Sequence, residues 1–292
     1  MRNLLEWFTG SNASDPTKKR RKVSRTAYIA LIVFTFLSIF PLYWLFVVAS
    51  NSNAEISKIP PSLVPGPNFF KELKAVYAAV PLTNALVNTA LIALIVAAAQ
   101  VFFCTMAGFA YAKLAFPGKK VSLVVIIGTM MLPSQLGIVV LYIMMADFFH
   151  WINDFKAIVI PSMIGAFGVF WMRQIIDAQV PNELLEAAKI DGGKNFRIYR
   201  SVVVPIIAPS ALVLGLFSFL GTWNDFLWPS LVLNSPKRFT IQVAVNQLNG
   251  TYTVDYALKM CGAFMATLPL LLLFIFVGRR LVTGIMDGAV KG

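Results

Sequence analysis

The stretch Pro181-Asn-Glu-Leu-Leu-Glu-Ala-Ala-Lys-Ile-Asp-Gly-Gly-Lys194 is polar and lies between two long apolar runs. Its first two residues suit the entry and cap of a helix, and its two glutamates lie near the positive end of the helix dipole. The adjacent glycines suit the helix end, where a left-handed residue is favoured. Leu184, Leu185 and Ala188 leave one face small and apolar. The sequence therefore predicts a short amphipathic helix over residues 181–193, of a shape that fits a groove on a partner.

The composition around this stretch is that of an integral membrane protein. Of the 292 residues, 58% are hydrophobic and 13% are charged, whereas a soluble protein carries about 25% charged residues. The net charge of +12 would suggest nucleic acid in a soluble chain. Here the basic residues alternate between loops, so we expect a lipid bilayer as partner and no nucleic acid. His150 is the only histidine, and Cys104 and Cys261 lie in apolar segments, so neither a disulfide nor a metal site is predicted.

Six membrane spans are predicted from the apolar runs. They lie within residues 26–54 (kinked or broken near Pro41), 75–112, 121–146, 157–172, 206–233 and 260–278. The fourth span is short because glycine and proline interrupt it, and Arg173 marks its edge. An exterior loop over residues 50–83 is expected to contain a short amphipathic helix around residues 69–77. One membrane domain, residues 26–285, then follows a basic segment, 1–25, and precedes a tail, 286–292.

The basic residues also predict the orientation of these spans. Of the 25 Lys and Arg residues, 18 lie in the N-terminal segment, residues 113–120, residues 173–200 and the C-terminus, and 7 lie in the alternate loops. Because positive charge accumulates on the cytoplasmic side, both termini and the 174–205 loop are predicted to be cytoplasmic.

A longer pattern in the 174–205 loop carries a family resemblance. Glu186-Ala-Ala-Lys-Ile-Asp-Gly192, followed by Val202-Val-Val-Pro205, resembles the EAA loop of binding-protein-dependent ABC importer permeases. That motif reads E-A-A, three residues, G, nine residues and I-x-L-P, and here valines replace Ile and Leu. Glu-Ala-Ala alone is common in helices, so the full spacing between apolar spans is what matters. The resemblance implies coupling to an ATPase through Glu183, Glu186, Ala187, Ala188, Asp191 and Gly192.

The fifth span contains a second candidate site, Gly221-Thr-Trp-Asn-Asp-Phe-Leu-Trp-Pro229. A carboxylate within an apolar helix is costly and usually faces a cavity or a partner, and Asp225 is the acidic residue expected at membrane depth. Trp223 and Trp228 have flat faces that suit stacking on sugar rings, or else they belong to an interfacial aromatic belt. The stretch also resembles the W-N-E/D-F-L-W-P signature in the fifth helix of sugar-importer permeases.

Three amides complete the predicted translocation pathway: Asn224, Gln135 and Asn88. Amides within a membrane can line a pathway, or they can only bond neighbouring helices. Pro133 and Pro161 would free backbone carbonyls at a hinge or a cavity wall.

The chain lacks a nucleotide-binding motif, because the glycines before Lys194 have neither the earlier glycine nor the Ser/Thr of a Walker sequence. The resemblance, closest to the smaller permease subunit of maltose-type importers for oligosaccharides and polyol phosphates, implies an all-α type I ABC importer permease fold with six transmembrane helices. It implies a sister permease in a heterodimer, two ATP-binding subunits that hold ATP and magnesium, and an extracytoplasmic solute-binding protein. This chain would bind no cofactor, and it would lie in a bacterial or archaeal cytoplasmic membrane.

Two other classes of protein remain open from the residues alone. An ion-coupled secondary transporter would need titratable groups along a pathway, and Asp225 gives it little support. A membrane scaffold that transports nothing would not need the spacing of glutamate and glycine in the 174–205 loop. The sequence does not name the solute.

Overall fold

The computed structural model describes residues 24–249 and 255–289, except for the side chains of Ser134, Val277 and residues 279–289. Most of the predicted basic segment 1–25 and the last residues of the predicted tail 286–292 lie outside this described part.

The described part of the chain is helical, without a strand. The helices are α1 (Arg25–Ser50), α2 (Asn53–Ile56), α3 (Phe69–Ala79), α4 (Leu82–Lys113), α5 (Lys119–Met130), α6 (Ile138–Ile143), α7 (Lys156–Ser162), α8 (Ala166–Gln179), α9 (Asn182–Ile190), α10 (Asn195–Ile198), α11 (Val204–Asn224), α12 (Leu227–Val232), α13 (Ile241–Asn246) and α14 (Tyr256–Ala289). Two π-helical turns, Met144–Phe148 and Tyr199–Val203, follow α6 and α10.

Within the described residues, 5 helical stretches are long and apolar enough to cross a membrane, and a bent pair of helices makes up to 6. The five stretches are Arg25–Ser50, Leu82–Lys113, Lys156–Gln179, Asn195–Asn224 and Tyr256–Phe276. The predicted number of spans is therefore confirmed when the bent pair counts as one. The predicted amphipathic helix of the 50–83 loop is also confirmed, as α3.

The predicted first and third spans differ from the structure. α1 continues through Pro41 without a break and ends at Ser50, because Ser52 caps the separate helix α2 with a capping box. The third span is not one helix: Lys119–Met130 and Gln135–Phe148 meet at 92°. Pro133 lies between them, and proline disfavours helix both at its own position and at the preceding residue.

The fourth and fifth spans also differ from their predicted bounds. The fourth span reaches Gln179 and breaks between α7 and α8, so Arg173 lies within α8 rather than at its edge. The fifth span begins earlier and is interrupted at Asp225. The ring of Pro229 would clash with the Asp225 carbonyl, four residues earlier, if the helix continued.

The chain divides into two units, Met1–Trp44 and Leu45–Gly292. The described residues of the first unit form most of α1, and their large apolar side chains are mostly exposed. A long apolar helix of this kind can face lipid or another subunit.

The second unit has two apolar clusters. One contains Ala85, Ile158, Trp223 and Ile241, together with much of α13. The other joins α4 and α8 to α9 and to the residues that follow α9. It includes the following buried side chains: Cys104, Met172, Ile176, Leu185, Ile198, Tyr199 and Leu214. α4 and α8 approach closely at Gly108, where an added Cβ would lie 2.9 Å from the Met172 backbone. Small residues allow such close approach between membrane helices.

The loops of the second unit form two sets. Asn88 donates a hydrogen bond to the Lys237 carbonyl at 3.0 Å, so the start of α4 contacts the 233–241 loop. At the other end of α4, Lys113 donates to Asn182 Oδ1 at 3.0 Å. Loops predicted to share a side of the membrane thus contact one another, which agrees with the predicted alternation. Which set faces the cytoplasm remains a prediction.

Candidate functional site

The 181–193 segment ends as the sequence predicts. The Gly193 N–H donates to the Ala188 carbonyl and the Gly192 N–H to the Lys189 carbonyl, both at 2.9 Å. This pair of bonds is a Schellman motif, which satisfies carbonyls at a helix end. Gly192 has φ +79°, in the left-handed region. The helix α9 therefore has a fixed end rather than a frayed one.

The two glycines differ in what a side chain would meet, and this difference supplies a first prediction. A Cβ on Gly192 meets nothing within 4 Å, so Gly192→Ala is expected to cost only about 1 kcal/mol of backbone strain. A Cβ on Gly193 would lie 2.6 Å from the Ala188 carbonyl oxygen. Gly193→Val should therefore open the helix end. Tryptic cleavage at Lys189 and Lys194 in inside-out vesicles measures this, and equal rates in the two variants would contradict it.

The helix α9 presents a different face from the predicted one. Leu185 is buried and Ala188 is half-buried, and both pack in the cluster that contains Ile198. Leu184 is 47% exposed because consecutive helical residues point about 100° apart. The prediction of one shared face for Leu184, Leu185 and Ala188 is therefore wrong. The exposed side chains of this segment include Glu183, Leu184, Glu186, Ala187, Lys189, Ile190 and Asp191, followed by Phe196.

The start of α9 is anchored by a residue that sequence reasoning missed. Lys113, the last residue of α4, lies 3.0 Å from Asn182 Oδ1 and 3.8 Å from Asp177 Oδ1. Asn182 was expected to cap the helix, but its side-chain oxygen accepts from Lys113, and Pro181 occupies the cap position. In the sequence, the one signal of this anchoring role was the position of Lys113 at the end of an apolar run.

Two cavities flank the break at Asp225. One, of about 830 Å³, is lined by Gln135, Ser162, Asp225 and Trp228 among others. The other, of about 510 Å³, shares Ser162 and Asp225 and adds polar groups of other helices, namely Gln100, Ser218, Thr222 and Asn224. The structure thus brings three of the predicted pathway residues together: Gln135, Asn224 and Asp225. Among the residues that the structure describes, neither lining contains Lys or Arg.

Asp225 lies at the break and not within a helix, which corrects the prediction. Its backbone is extended at ψ 120°, and its Oδ1 accepts from the Trp228 N–H at 3.4 Å. The carboxylate therefore faces the N-terminal end of α12 while it lines both cavities. Asn224 lies beside it and donates to the Leu220 carbonyl at 2.9 Å.

The two tryptophans are buried between helices, and their roles in sugar stacking or in an aromatic belt stay predictions. Trp223 is 3% exposed and donates its indole N–H to the Ala266 carbonyl at 3.2 Å. Trp228 is 9% exposed and donates to the Ala157 carbonyl at 2.9 Å. Buried indoles with satisfied N–H groups fix neighbouring helices. Trp223 therefore presents no open ring face to a sugar, and Trp228 contributes only a small exposed part to the lining of the larger cavity.

Gln100 is a second residue that sequence reasoning missed. Its Nε2 donates to the Ser162 carbonyl at 2.9 Å, and its Oε1 accepts from Ser218 Oγ at 2.7 Å. It therefore joins α4 to α11 and to the end of α7, where the fourth span breaks. Its signal in the sequence was an amide near the middle of the charge-free 75–112 run.

Asn88 lies away from both cavities, and it supplies a second prediction. Its Nδ2 donates to the carbonyls of Lys237 and Phe239 at 3.0 and 3.1 Å, and the neighbouring Thr89 accepts from the Ile241 N–H at 2.7 Å. Asn88→Leu should lower the stability of the detergent-purified protein by about 1–3 kcal/mol without changing which solute is transported. Thermal unfolding and a transport assay check this, and altered selectivity at unchanged stability would restore the pathway role.

Comparison with known proteins covers both candidate sites. Residues 104–285 match the model of the family described as "Binding-protein-dependent transport system inner membrane component". The lactose transport system permease protein of Rhizobium radiobacter is 31% identical over 275 residues, which are 94% of this chain and 99% of that protein. The sn-glycerol-3-phosphate transport system permease protein of Brucella abortus is 28% identical over 284 residues, 92% of this chain and 98% of that protein.

A solved structure shows the same fold. One chain of a bacterial ABC transporter that imports the acidic polysaccharide alginate matches with a TM-score of 0.74 and 19% identity, over 89% of this chain and 99% of that chain. The fold is the all-α ABC importer permease fold, and it gives no support to the ion-coupled transporter. With a family model that matches more than half of its length, the chain belongs to the binding-protein-dependent transport system inner membrane components.

Proposed function

We propose that this permease carries a sugar or oligosaccharide, and that the 181–193 segment couples it to separate ATPase subunits. Family membership implies an ATPase and a solute-binding protein as partners. The observation that supports the coupling role best is the exposed helix α9, which is closed by a Schellman motif and anchored to α4 by Lys113. ATP and magnesium would be held by the partner subunits, and this chain would bind no cofactor.

The outer surface of α9 suits a groove on a soluble subunit. Ile190 is 87% exposed, and Leu184 and Phe196 add further apolar surface beside the carboxylates of Glu183 and Glu186. Because Leu185 packs into the second apolar cluster, a displacement of α9 would reach the spans rather than bend a loose loop. Such rigid transmission is what alternating access requires.

The cavities at Asp225 favour an uncharged, hydroxylated solute. Relatives are named for lactose on one hand and sn-glycerol 3-phosphate on the other. Within the described part of the chain, the linings offer amides, hydroxyls and one carboxylate beside apolar side chains, and no Lys or Arg. A carboxylate repels a phosphate ester, and it accepts hydrogen bonds from sugar hydroxyls. We therefore favour a sugar over a polyol phosphate.

A second permease subunit would complete the pathway. The bent third span exposes Leu136, Val139 and Val140, and Val140 also lines the larger cavity. An apolar surface beside the cavity that Asp225 lines fits a sister subunit better than lipid alone. That this sister is a different chain, in a heterodimer, is our proposal from the family resemblance. The charge distribution supports cytoplasmic termini, with the solute-binding protein docking on the opposite side.

Reconstitution tests this proposal. The permease pair, the cognate ATPase and the solute-binding protein would be placed in vesicles, and uptake of lactose, maltotriose and sn-glycerol 3-phosphate would be measured. We expect uptake of a sugar that requires ATP on the ATPase side. Uptake driven by an ion gradient without ATP, or uptake of sn-glycerol 3-phosphate alone, would contradict the proposal.

A further inference from the structure

We infer that Tyr199 is a positioning residue that passes movement of the 181–193 segment to α4 through a buried hydrogen bond to Thr105. This inference rests on the proposed coupling function. It assigns a role to a residue outside the glutamate–glycine pattern.

The hydrogen bond joins two buried hydroxyl groups. Tyr199 Oη and Thr105 Oγ1 are 2.7 Å apart, and the two residues are 5% and 3% exposed. Thr105 Oγ1 also lies 2.6 Å from the Val101 carbonyl, which can only accept. A threonine hydroxyl has one proton, and it is directed to that carbonyl. Tyr199 is therefore the donor and Thr105 the acceptor in the pair.

Tyr199 lies where the 181–193 segment meets the fifth span. It opens the π-helical turn Tyr199–Val203 between α10 and α11, and π-turns are frequent at functional sites. The side chains of Leu185 and Ile198 belong to the same buried cluster, and the ring of Phe109 lies 5.8 Å away. Leu185 of α9 and Tyr199 thus belong to one packed cluster, through which a displacement of α9 can reach Thr105 on α4.

Among the described residues, side chains of the 181–203 stretch bond to α4 at two points. Lys113 holds Asn182 at the surface, and Thr105 holds Tyr199 in the interior. Thr105 and Lys113 lie eight residues apart, or about 12 Å along the helix. Because these two hydrogen bonds lie at different depths, α4 cannot rotate about either of them alone. α4 then moves together with the 181–203 stretch, and α4 also lines the smaller cavity through Gln100.

Two variants remove the bond in different ways. Tyr199→Phe removes the donor and keeps the ring, and Thr105 keeps its bond to the Val101 carbonyl, so no buried polar group loses its partner. Thr105→Val removes the acceptor at nearly unchanged volume and leaves the tyrosine hydroxyl unpaired. Tyr111→Phe is the matched control. Tyr111 is a half-buried tyrosine of α4, the helix that contains Thr105, and its ring packs on Phe116.

A cysteine reporter in the smaller cavity measures transmission without any solute. Gly221 lines that cavity, and a Cβ there meets nothing within 4 Å, so Gly221→Cys fits. The native Cys104 and Cys261 are both 0% exposed and do not compete for reagent. The complete importer in nanodiscs, with its ATPase subunits, would be treated with the ATP analogue AMP-PNP. The rate of maleimide labelling at position 221 would then be compared with and without AMP-PNP.

We expect AMP-PNP to change the labelling rate of the Gly221→Cys reporter protein. The change should be the same size when the reporter protein also carries Tyr111→Phe. Tyr199→Phe and Thr105→Val should reduce that response about fivefold, the factor that one lost hydrogen bond gives. Retention of the ATPase subunits should not change. If AMP-PNP changes the labelling rate as much in Tyr199→Phe and Thr105→Val as in the reporter protein, the inference is wrong but the proposed coupling function stands. This holds even if the protein yield of the variants falls. No response with Tyr199 intact overturns the proposed coupling, and the inference with it.

Discussion

Replacing Ala187 with tryptophan is expected to abolish uptake while the protein remains inserted in the membrane. Ala187 is exposed on the outer surface of α9, between Glu186 and the half-buried Ala188. A bulky side chain there would stand between the helix and the groove that receives it. Overpacking of a fitted surface costs about 1–3 kcal/mol, which weakens binding of the ATPase about 5- to 150-fold. Copurification of the ATPase and uptake in the same vesicles measure the loss.

The matched control for this variant is Ala115→Trp. Ala115 is also an exposed alanine, in the turn after α4, on the same side of the molecule and outside α9. The Ala115→Trp variant should bind the ATPase and transport solute as the unaltered protein does. Glu186→Lys and Gly192→Leu should weaken coupling as well, by charge reversal and by backbone strain. If Ala187→Trp, Glu186→Lys and Gly192→Leu all bind ATPase and transport normally, the 181–193 segment is an ordinary loop.

The second large effect is expected at Asp225. Asp225→Lys places a cation between the two cavities, at the N-terminal end of α12 where cations are unfavourable, and it should abolish uptake. Asp225→Asn keeps an oxygen that can cap α12, so the fold should remain. It removes the charge that we propose binds sugar hydroxyls, and uptake should fall about tenfold, as expected for one charge-assisted hydrogen bond.

Asp154→Asn is the control for Asp225→Asn. Asp154 lies on the loop between α6 and α7, where its carboxylate is 3.8 Å from the Arg238 guanidinium and both side chains are partly exposed. Loss of such a surface pair has little effect, so this variant should transport normally. Normal uptake and ATPase stimulation by Asp225→Asn would show that the carboxylate only caps a helix.

Much of the architecture could be predicted because apolar runs and basic residues report directly on a bilayer. The second span and the helix α3 lie close to where the sequence places them. The helix end at Gly192 was also predictable, since a positive φ favours glycine. The third and fifth spans were predicted as single helices because hydropathy is averaged over a window of residues. Pro133 and Pro229 break the helix at single residues, and such an average does not detect them.

The side-chain assignments were less predictable because they depend on tertiary neighbours. Trp223 and Trp228 are flat and amphipathic in any sequence, and only α14 and α7 supply the carbonyls that accept their N–H groups. The amide of Asn88 contacts a loop almost 150 residues later in the chain. Gln135 and Asp225 line one cavity only because the third span bends.

The most direct test of the coupling role is a photo-crosslink from the outer surface of α9. A photoreactive amino acid at Ile190, whose side chain is 87% exposed, would be irradiated in membranes that contain the complete importer. The same amino acid at Leu136, in the bent third span, is the control. We expect position 190 to give an adduct with an ATPase subunit and position 136 to give none. An ATPase that copurifies with the permease but never crosslinks to position 190 would contradict it.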